Sequence, residues 1–418
     1  MSGFPEFDYH DDELFVESVP LKQIAEKFGT PCYVYSQSAL TKAYQEFDAA
    51  FANRDHLICF AVKANSNIAI LNLFSQLGSG FDIVSGGELQ RVIKAGGDPG
   101  KTVFSGVGKN MHEMRMALDV NILCFNVESE AELISLNQIA KEMNKIAPVS
   151  LRINPDVDAK THPYISTGLK ENKFGIPASE AERIYQSAHL YQNIRFIGLD
   201  CHIGSQLTEL DPFIQASKKM LNLLDTLQSK NLEIEHLDLG GGLGIRYTNE
   251  ILPSIRDYVS MLCTSTHQVK QRLLIEPGRS LVGNAGILLT RIEYLKHTPT
   301  RNFAIVDAAM NDLMRPALYD AYHEILPVNK NSGEIKDYQV VGPVCETGDF
   351  LGHDRQIGLM SGDFLAIMSA GAYGMSMSSN YNSRPRVAEI MVDKNTTHII
   401  RQRETIDQLF SNEKILSH

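Results

Sequence analysis

A lysine, a run of glycines and a carboxylate, each placed after a short apolar run, carry the chemistry of this chain. Lys63 ends LICFAVK (57–63). A lysine there either snorkels from a strand end or sits partly out of water. In the second case desolvation frees its amine to condense with an aldehyde. Gly240, Gly241 and Gly242 lie in LDLGGGLGI, either as a flexible turn or as a nest of backbone N–H groups that cradles an anion. Gly278 in EPGRS adds amides after the next apolar run, which makes phosphate the better fit. Glu276, close to Arg279, reads as half of an ion pair or as the carboxylate that keeps a heterocyclic nitrogen protonated. His202 in HIGSQ is a core histidine or a ring stacked on a planar cofactor, and Ser205 beside it is a donor to phosphate. Together these groups point to pyridoxal 5'-phosphate (PLP), although none does so alone.

Such groups need elements to aim them. From about residue 36 to 279, β-rich apolar runs alternate with amphipathic stretches: LICFAVK, GFDIV, TVFSG, ILCFN, VSLRI, FIGLDCH, HLDLG and LLIEP. Continuous apolar runs separated by helices suit a parallel sheet buried on both faces. Their number and span predict an α/β architecture, a closed, PLP-binding (β/α)8 TIM-type barrel over 36–280. No helix pattern follows the last run, and SQSALTKAYQEFDAAFANR (36–54) is the candidate to stand in for it. In such a barrel chemistry sits at the C-terminal ends of the strands, where Lys63, Asp82, Asn126, Arg152, His202, Gly240–Gly242 and Glu276 fall. Residues 1–35 and 281–418 read as a mainly β second domain built from both chain ends. Its strands are predicted in ELFVE, PCYVYS, NFAIVDAA, YQVVGPVC, DFLAIMSAGAY, PRVAEIMV and THIIRQ, with a short helix near ETIDQLF.

The 418 residues carry 39 Lys+Arg against 50 Asp+Glu, a net charge of −11, which disfavours nucleic acid and anionic membrane as partners. With 43% hydrophobic and 21% charged residues the composition is that of a globular protein, not a disordered or fibrous one. The cysteines are scattered with neither CxxC nor metal-ligand spacing, so reduced core thiols in a cytoplasmic protein are expected, and no metal. The acidic opening MSGFPEFDYHDDELF lacks the basic and apolar regions of a signal peptide, and no apolar run is long enough to span a bilayer.

As a set, AVKAN, FDIVSGGEL, LRINP, HPYISTGLKENKFGI, HIGSQ, LDLGGGLGI, EPGRS, MRPALYDAYH, CETGDFL and AGAYGMSMSSNYNSRPR make the chain resemble the diaminopimelate decarboxylase family. That family lies among the alanine-racemase-like, fold type III PLP decarboxylases. The resemblance runs from PCYVYS to RQRET. It implies decarboxylation of meso-2,6-diaminopimelate to L-lysine in a head-to-tail homodimer with shared active sites. It assigns Lys63 to covalent attachment of PLP, His202 to ring stacking and Glu276 to the ring nitrogen. Ser205, Gly241, Gly242, Pro277, Gly278 and Arg279 would hold the cofactor, largely through its phosphate. Arg279, Arg315 and Tyr319 would bind the distal end of the substrate, and Tyr373 would touch both substrate and cofactor. Cys345, as proton donor, and Glu346 would enter from the partner subunit. Decarboxylation of ornithine, arginine or a carboxylated polyamine is the alternative within the class, and a non-catalytic PLP-binding relative the alternative outside it. Arg315 argues against the diamine precursors, because an arginine repels a terminal cation while gripping a carboxylate through two bonds.

Overall fold

The computed structural model describes residues 4, 6–158, 172–248, 250–330 and 333–416. Residues 162–171 of HPYISTGLKENKFGI therefore lie outside the described residues. The chain forms two compact units, one of 43–245 with 251–281 and the other of 1–42, 246–250 and 282–418.

The first unit is a closed barrel of eight parallel strands: β1 (His56–Ala61), β2 (Gly80–Ile83), β3 (Thr102–Phe104), β4 (Cys124–Val127), β5 (Ala147–Asn154), β6 (Ile194–Cys201), β7 (His236–Asp238) and β8 (Arg272–Ile275). Each strand pairs with its sequence neighbours, and β8 closes on β1 through the Leu273–His56, Leu274–Leu57 and Ile275–Ile58 register. Every residue of β2, β3, β4 and β7 is buried. Burial on both faces suits the apolar residues that dominate the strands, and the few polar ones inside them, Asp82, Thr102, Asn126, His236 and Asp238, are buried as well. Leu57, Cys59, Val103, Cys124, Ile197 and Leu274, from five of the strands, pack into one buried cluster.

Helices follow the first seven strands: α2 (Ile68–Gln76), α3 (Gly86–Lys94), α4 (Met111–Asp119), α5 (Glu130–Glu142), α6 (Ala178–Gln186), α7 (Asp211–Ser229) and α8 (Ile255–Ser265), with α1 (Gln37–Phe51) preceding β1. Asn67, Ser85, Asn110 and Ser129 cap α2 to α5 by accepting first-turn N–H groups, so the strand-to-helix turns are short and well defined. Only the single turn Arg279–Val282 follows β8 directly among the described residues. As expected from the sequence, α1 fills the eighth helical position. Tyr44 lies 6.0 Å from Phe74 of α2 on one side, and Phe47 packs edge-on against Tyr258 of α8 at 6.4 Å on the other.

The second unit is mainly β. Its large sheet runs in the order 350–358, 335–341, 302–306, 286–297, 32–36, 388–393, 396–401. The 32–36 strand lies between Gly286–His297, antiparallel to it, and Ala388–Asp393, parallel to it, which ties the two chain ends together. Gly286–His297, absent from the sequence reading, is the longest strand and the centre of that sheet. Its first five residues are buried and its last five largely exposed, so neither a continuous nor an alternating pattern covers it. The ELFVE run forms a separate small sheet with Phe7–His10 and Val19–Pro20.

Phe47 is completely buried. Phe47→Ala should cost about 3–5 kcal/mol, read as a lower urea midpoint for barrel unfolding, whereas Phe47→Leu should cost much less.

Candidate active site at the barrel mouth

The strand ends deliver their polar residues to one layer. Lys63, the last residue of the predicted run 57–63, occupies the 3₁₀ turn Val62–Ala64 directly after β1, because the strand ends at Ala61. Its amine forms an ion pair with Asp82, which is fully buried on β2. Glu276 directly follows β8 and is buried. Its Oε1 accepts from Asn126 Nδ2 at 3.3 Å and from the Ser105 hydroxyl at 3.4 Å. His202 directly follows β6, and its Nδ1 accepts the Gly241 N–H at 3.1 Å. An accepting Nδ1 carries no proton, so the hydrogen of the neutral ring sits on Nε2. Desolvation, with Arg152 and Lys63 nearby, pushes the His202 pKa well below its ordinary value and keeps the ring neutral.

The glycines bring the backbone of three strand ends together. A Cβ on Gly241 would lie 2.1 Å from the Glu276 carbonyl oxygen, so only glycine permits that approach. Gly242 adopts φ +115°, and a Cβ there would lie 2.4 Å from the Gly204 carbonyl oxygen. Both positions demand glycine for steric reasons. Arg279 places Nε and Nη2 3.3 and 3.1 Å from the Ser205 hydroxyl, joining the turns after β8 and β6.

Two acids that the sequence reading passed over complete this layer. Oxygens of Asp200 on β6, Asp238 on β7 and Glu276 lie within 4.8 Å of one another. Three carboxylates that close cannot all ionise out of water. Burial, then the neighbouring acids, raises Glu276 and Asp200 well above the usual carboxylate range. Burial likewise lifts Asp238 to about 7, against a hydrogen bond from the Gly240 N–H. Arg152 offers the compensating charge. Burial opposes its ionisation, but Glu128, Asp200, Glu276 and Asp82 outweigh that, and Glu128 bonds it at 3.1 Å. A single acid inside each apolar run, FIGLDCH and HLDLG, was the available signal for Asp200 and Asp238.

The second unit carries Arg315, Tyr319, Tyr373, Cys345 and Glu346. Arg315 and Tyr319 begin and end a short helix, Arg315 buried and Tyr319 half-buried. Tyr373 has φ 56°, a left-handed conformation unusual for a bulky residue. Cys345 and Glu346 are exposed on a loop, where the Cys345 N–H donates to Asn382 Oδ1 at 2.8 Å and Glu346 accepts from the Tyr381 hydroxyl.

The barrel residues fit PLP. They offer a lysine amine, a buried carboxyl able to serve a ring nitrogen, a neutral flat ring, and backbone packed so closely that no Cβ can enter. A barrel with this mouth defines a class, the PLP-dependent decarboxylases. Residues 37–283 match the profile described as the pyridoxal-dependent decarboxylase, pyridoxal binding domain. A diaminopimelate decarboxylase of Pseudomonas aeruginosa is 56% identical over 410 residues, covering 98% of this chain and 99% of that one. The crystal structure of the Helicobacter pylori diaminopimelate decarboxylase with L-lysine matches at TM-score 0.91 and 42% identity, over 94% of this chain and 99% of that one. The M. jannaschii diaminopimelate decarboxylase in complex with L-lysine matches at TM-score 0.94 and 39% identity, over 100% and 99% of the two chains. The chain belongs to the diaminopimelate decarboxylase family.

The raised Asp238 pKa has a consequence for stability. Between its ordinary 3.8 and about 7 the folded state holds a proton that the unfolded state has released. Its contribution is therefore full below the lower value and lost as pH rises to the upper one. Asp238→Asn keeps an acceptor for Gly240 without the charge. In cofactor-free protein, its melting temperature should rise relative to the parent between those limits and hold a constant difference above them. A difference that does not vary with pH would contradict the assignment.

Proposed function

We propose that this chain catalyses the PLP-dependent decarboxylation of meso-2,6-diaminopimelate to L-lysine and CO2, the last step of lysine biosynthesis. The observation that carries the reading is near-full-length identity of 56% to a diaminopimelate decarboxylase. When bound, PLP supplies an electron sink for the pair left behind as CO2 departs.

Each residue has a distinct task. Lys63 would hold the cofactor through its amine, which becomes free to act on the substrate when the substrate amine takes its place. Glu276 would serve the ring nitrogen, and burial, followed by the neighbouring acids, raises its pKa and keeps a proton on the carboxyl. The neutral ring of His202 stacks without adding a competing positive charge. Gly241, Gly242, Pro277, Gly278, Ser205 and Arg279 cradle the phosphate. Arg279, Arg315, Tyr319 and Tyr373 bind substrate, and Arg315 grips the distal carboxylate that survives into lysine. That same guanidinium repels the terminal cation of ornithine or arginine. The Cys345 thiol delivers a proton to the carbon that has lost CO2, a task suited to a positioned weak acid.

Cys345 and Glu346 are exposed in the single chain. Exposure of a proton donor and a substrate ligand supports a homodimer in which these two residues complete the partner's site. Among the described residues no helix is long and apolar enough to cross a membrane. With the acidic net charge, this supports a cytoplasmic enzyme acting on a small amino acid and not on nucleic acid.

Lys63→Ala should abolish CO2 release from meso-diaminopimelate and the borohydride-sensitive yellow colour. Cys345→Ala should keep the colour and slow turnover by about 10²–10⁴-fold. Mixing the two variants should restore activity, because one site in each hybrid dimer regains both groups. Hybrids that form without recovery would refute shared sites, and an active Lys63→Ala would refute the lysine's role.

A further inference from the structure

His323 ends the MRPALYDAYH run and is wholly buried, yet nothing above uses its ring. Its Nδ1 lies 2.8 Å from the Met368 carbonyl oxygen, which can only accept, so Nδ1 carries the hydrogen. Its Nε2 lies 2.8 Å from Arg315 Nη1, which can only donate, so Nε2 is bare. These two contacts select one neutral tautomer, because a proton on Nε2 would face the guanidinium donor. On its flat side Arg315 lies over Tyr247, with Cζ 4.5 Å from the ring centroid. Tyr247 in turn meets His323 edge-to-face at 5.3 Å and 79°. One nitrogen and one face of the guanidinium are thereby fixed by neutral groups.

The neutrality has a purpose. A carboxylate at the place of His323 would hold the arginine as firmly but would cancel charge that an incoming carboxylate has to find. An imidazole acceptor orients the fork and leaves its charge in place. We propose that His323, as its Nδ1–H tautomer, and Tyr247 are positioning residues that aim a fully charged Arg315 at the distal carboxylate of the substrate. This rests on the reading of Arg315 given above.

Two conservative variants keep opposite halves of the relay. In His323→Gln the amide oxygen replaces Nε2 as the acceptor for Arg315 and the tie to Met368 is lost. In His323→Asn the amide donor replaces Nδ1–H and the acceptor for Arg315 is lost. Steady-state CO2 release from the PLP-loaded enzyme should show KM raised on the order of 10-fold in the Asn variant, with kcat and PLP affinity held near the parent and KM close to the parent in the Gln variant. The inhibition constant of the product lysine, which retains the same carboxylate, should rise in step with KM. Arg315→Ala serves as the reference. If it leaves KM unchanged, the reading of Arg315 fails and the relay with it. If it raises KM while neither His323 variant does, only the relay is overturned. A rise confined to the Gln variant, or equal in both, also overturns it, since the preserved acceptor would then have counted for nothing. Should both His323 variants fail to fold, Tyr247→Leu against Tyr247→Phe decides. A higher KM for Leu alone supports the relay, and equal values overturn it.

Discussion

The barrel mouth is governed by one electrostatic constraint: charges taken out of water must be neutralised by partners or by protons. Asp82, Asp200, Asp238 and Glu276 are all buried at the ends of strands β2, β6, β7 and β8. Lys63 answers Asp82 and Arg152 answers Glu128. The cations do not match the acids in number, so the cluster around Glu276 keeps protons that isolated carboxylates would have released. A carboxyl held in this state suits a site that must deliver a proton to a ring nitrogen. The closed main-chain ladder makes the arrangement possible, because it fixes eight strand ends whose own backbone groups are already satisfied.

Shape follows from the same layer. Gly241 and Gly242 exist because the backbone after β7 runs against Glu276 and Gly204 at distances that exclude any side chain. Arg279 and Ser205 tie two of the turns, and the Gly241 N–H sets the tautomer of His202. The second unit solves a related problem by another route. It holds a buried arginine with a neutral imidazole and an aromatic face, so that cationic charge is kept for a ligand. In both units a neutral histidine is held in one tautomer by its hydrogen bonds.

Much of this was legible in the residues. Parallel strands buried on both faces write themselves as largely apolar runs, and a polar residue closing such a run marks a strand end. That made Lys63, His202 and Glu276 visible, and α1 could be recognised as the missing helix because no other segment remained. Asp200 and Asp238 escaped notice because a lone acid inside an apolar run is meaningful only once its neighbours across the sheet are known. His323 and Tyr247 escaped for a similar reason: His323 closes the MRPALYDAYH run, but what either ring does becomes visible only once its contact with Arg315 is known. The Gly286–His297 strand was missed because burial changes along its length, which breaks any single period. The proposed sharing of sites between subunits rests on the family resemblance, since no spacing within one chain encodes an assembly.

In the proposed function Glu276 acts through its proton and not through its shape. Glu276→Gln preserves the volume and an acceptor for Asn126 and Ser105 but cannot exchange a proton with a ring nitrogen. CO2 release from meso-diaminopimelate by the PLP-saturated variant is the direct measurement. The variant should still bind PLP and turn yellow but lose turnover by orders of magnitude. Turnover close to that of the parent would contradict that role.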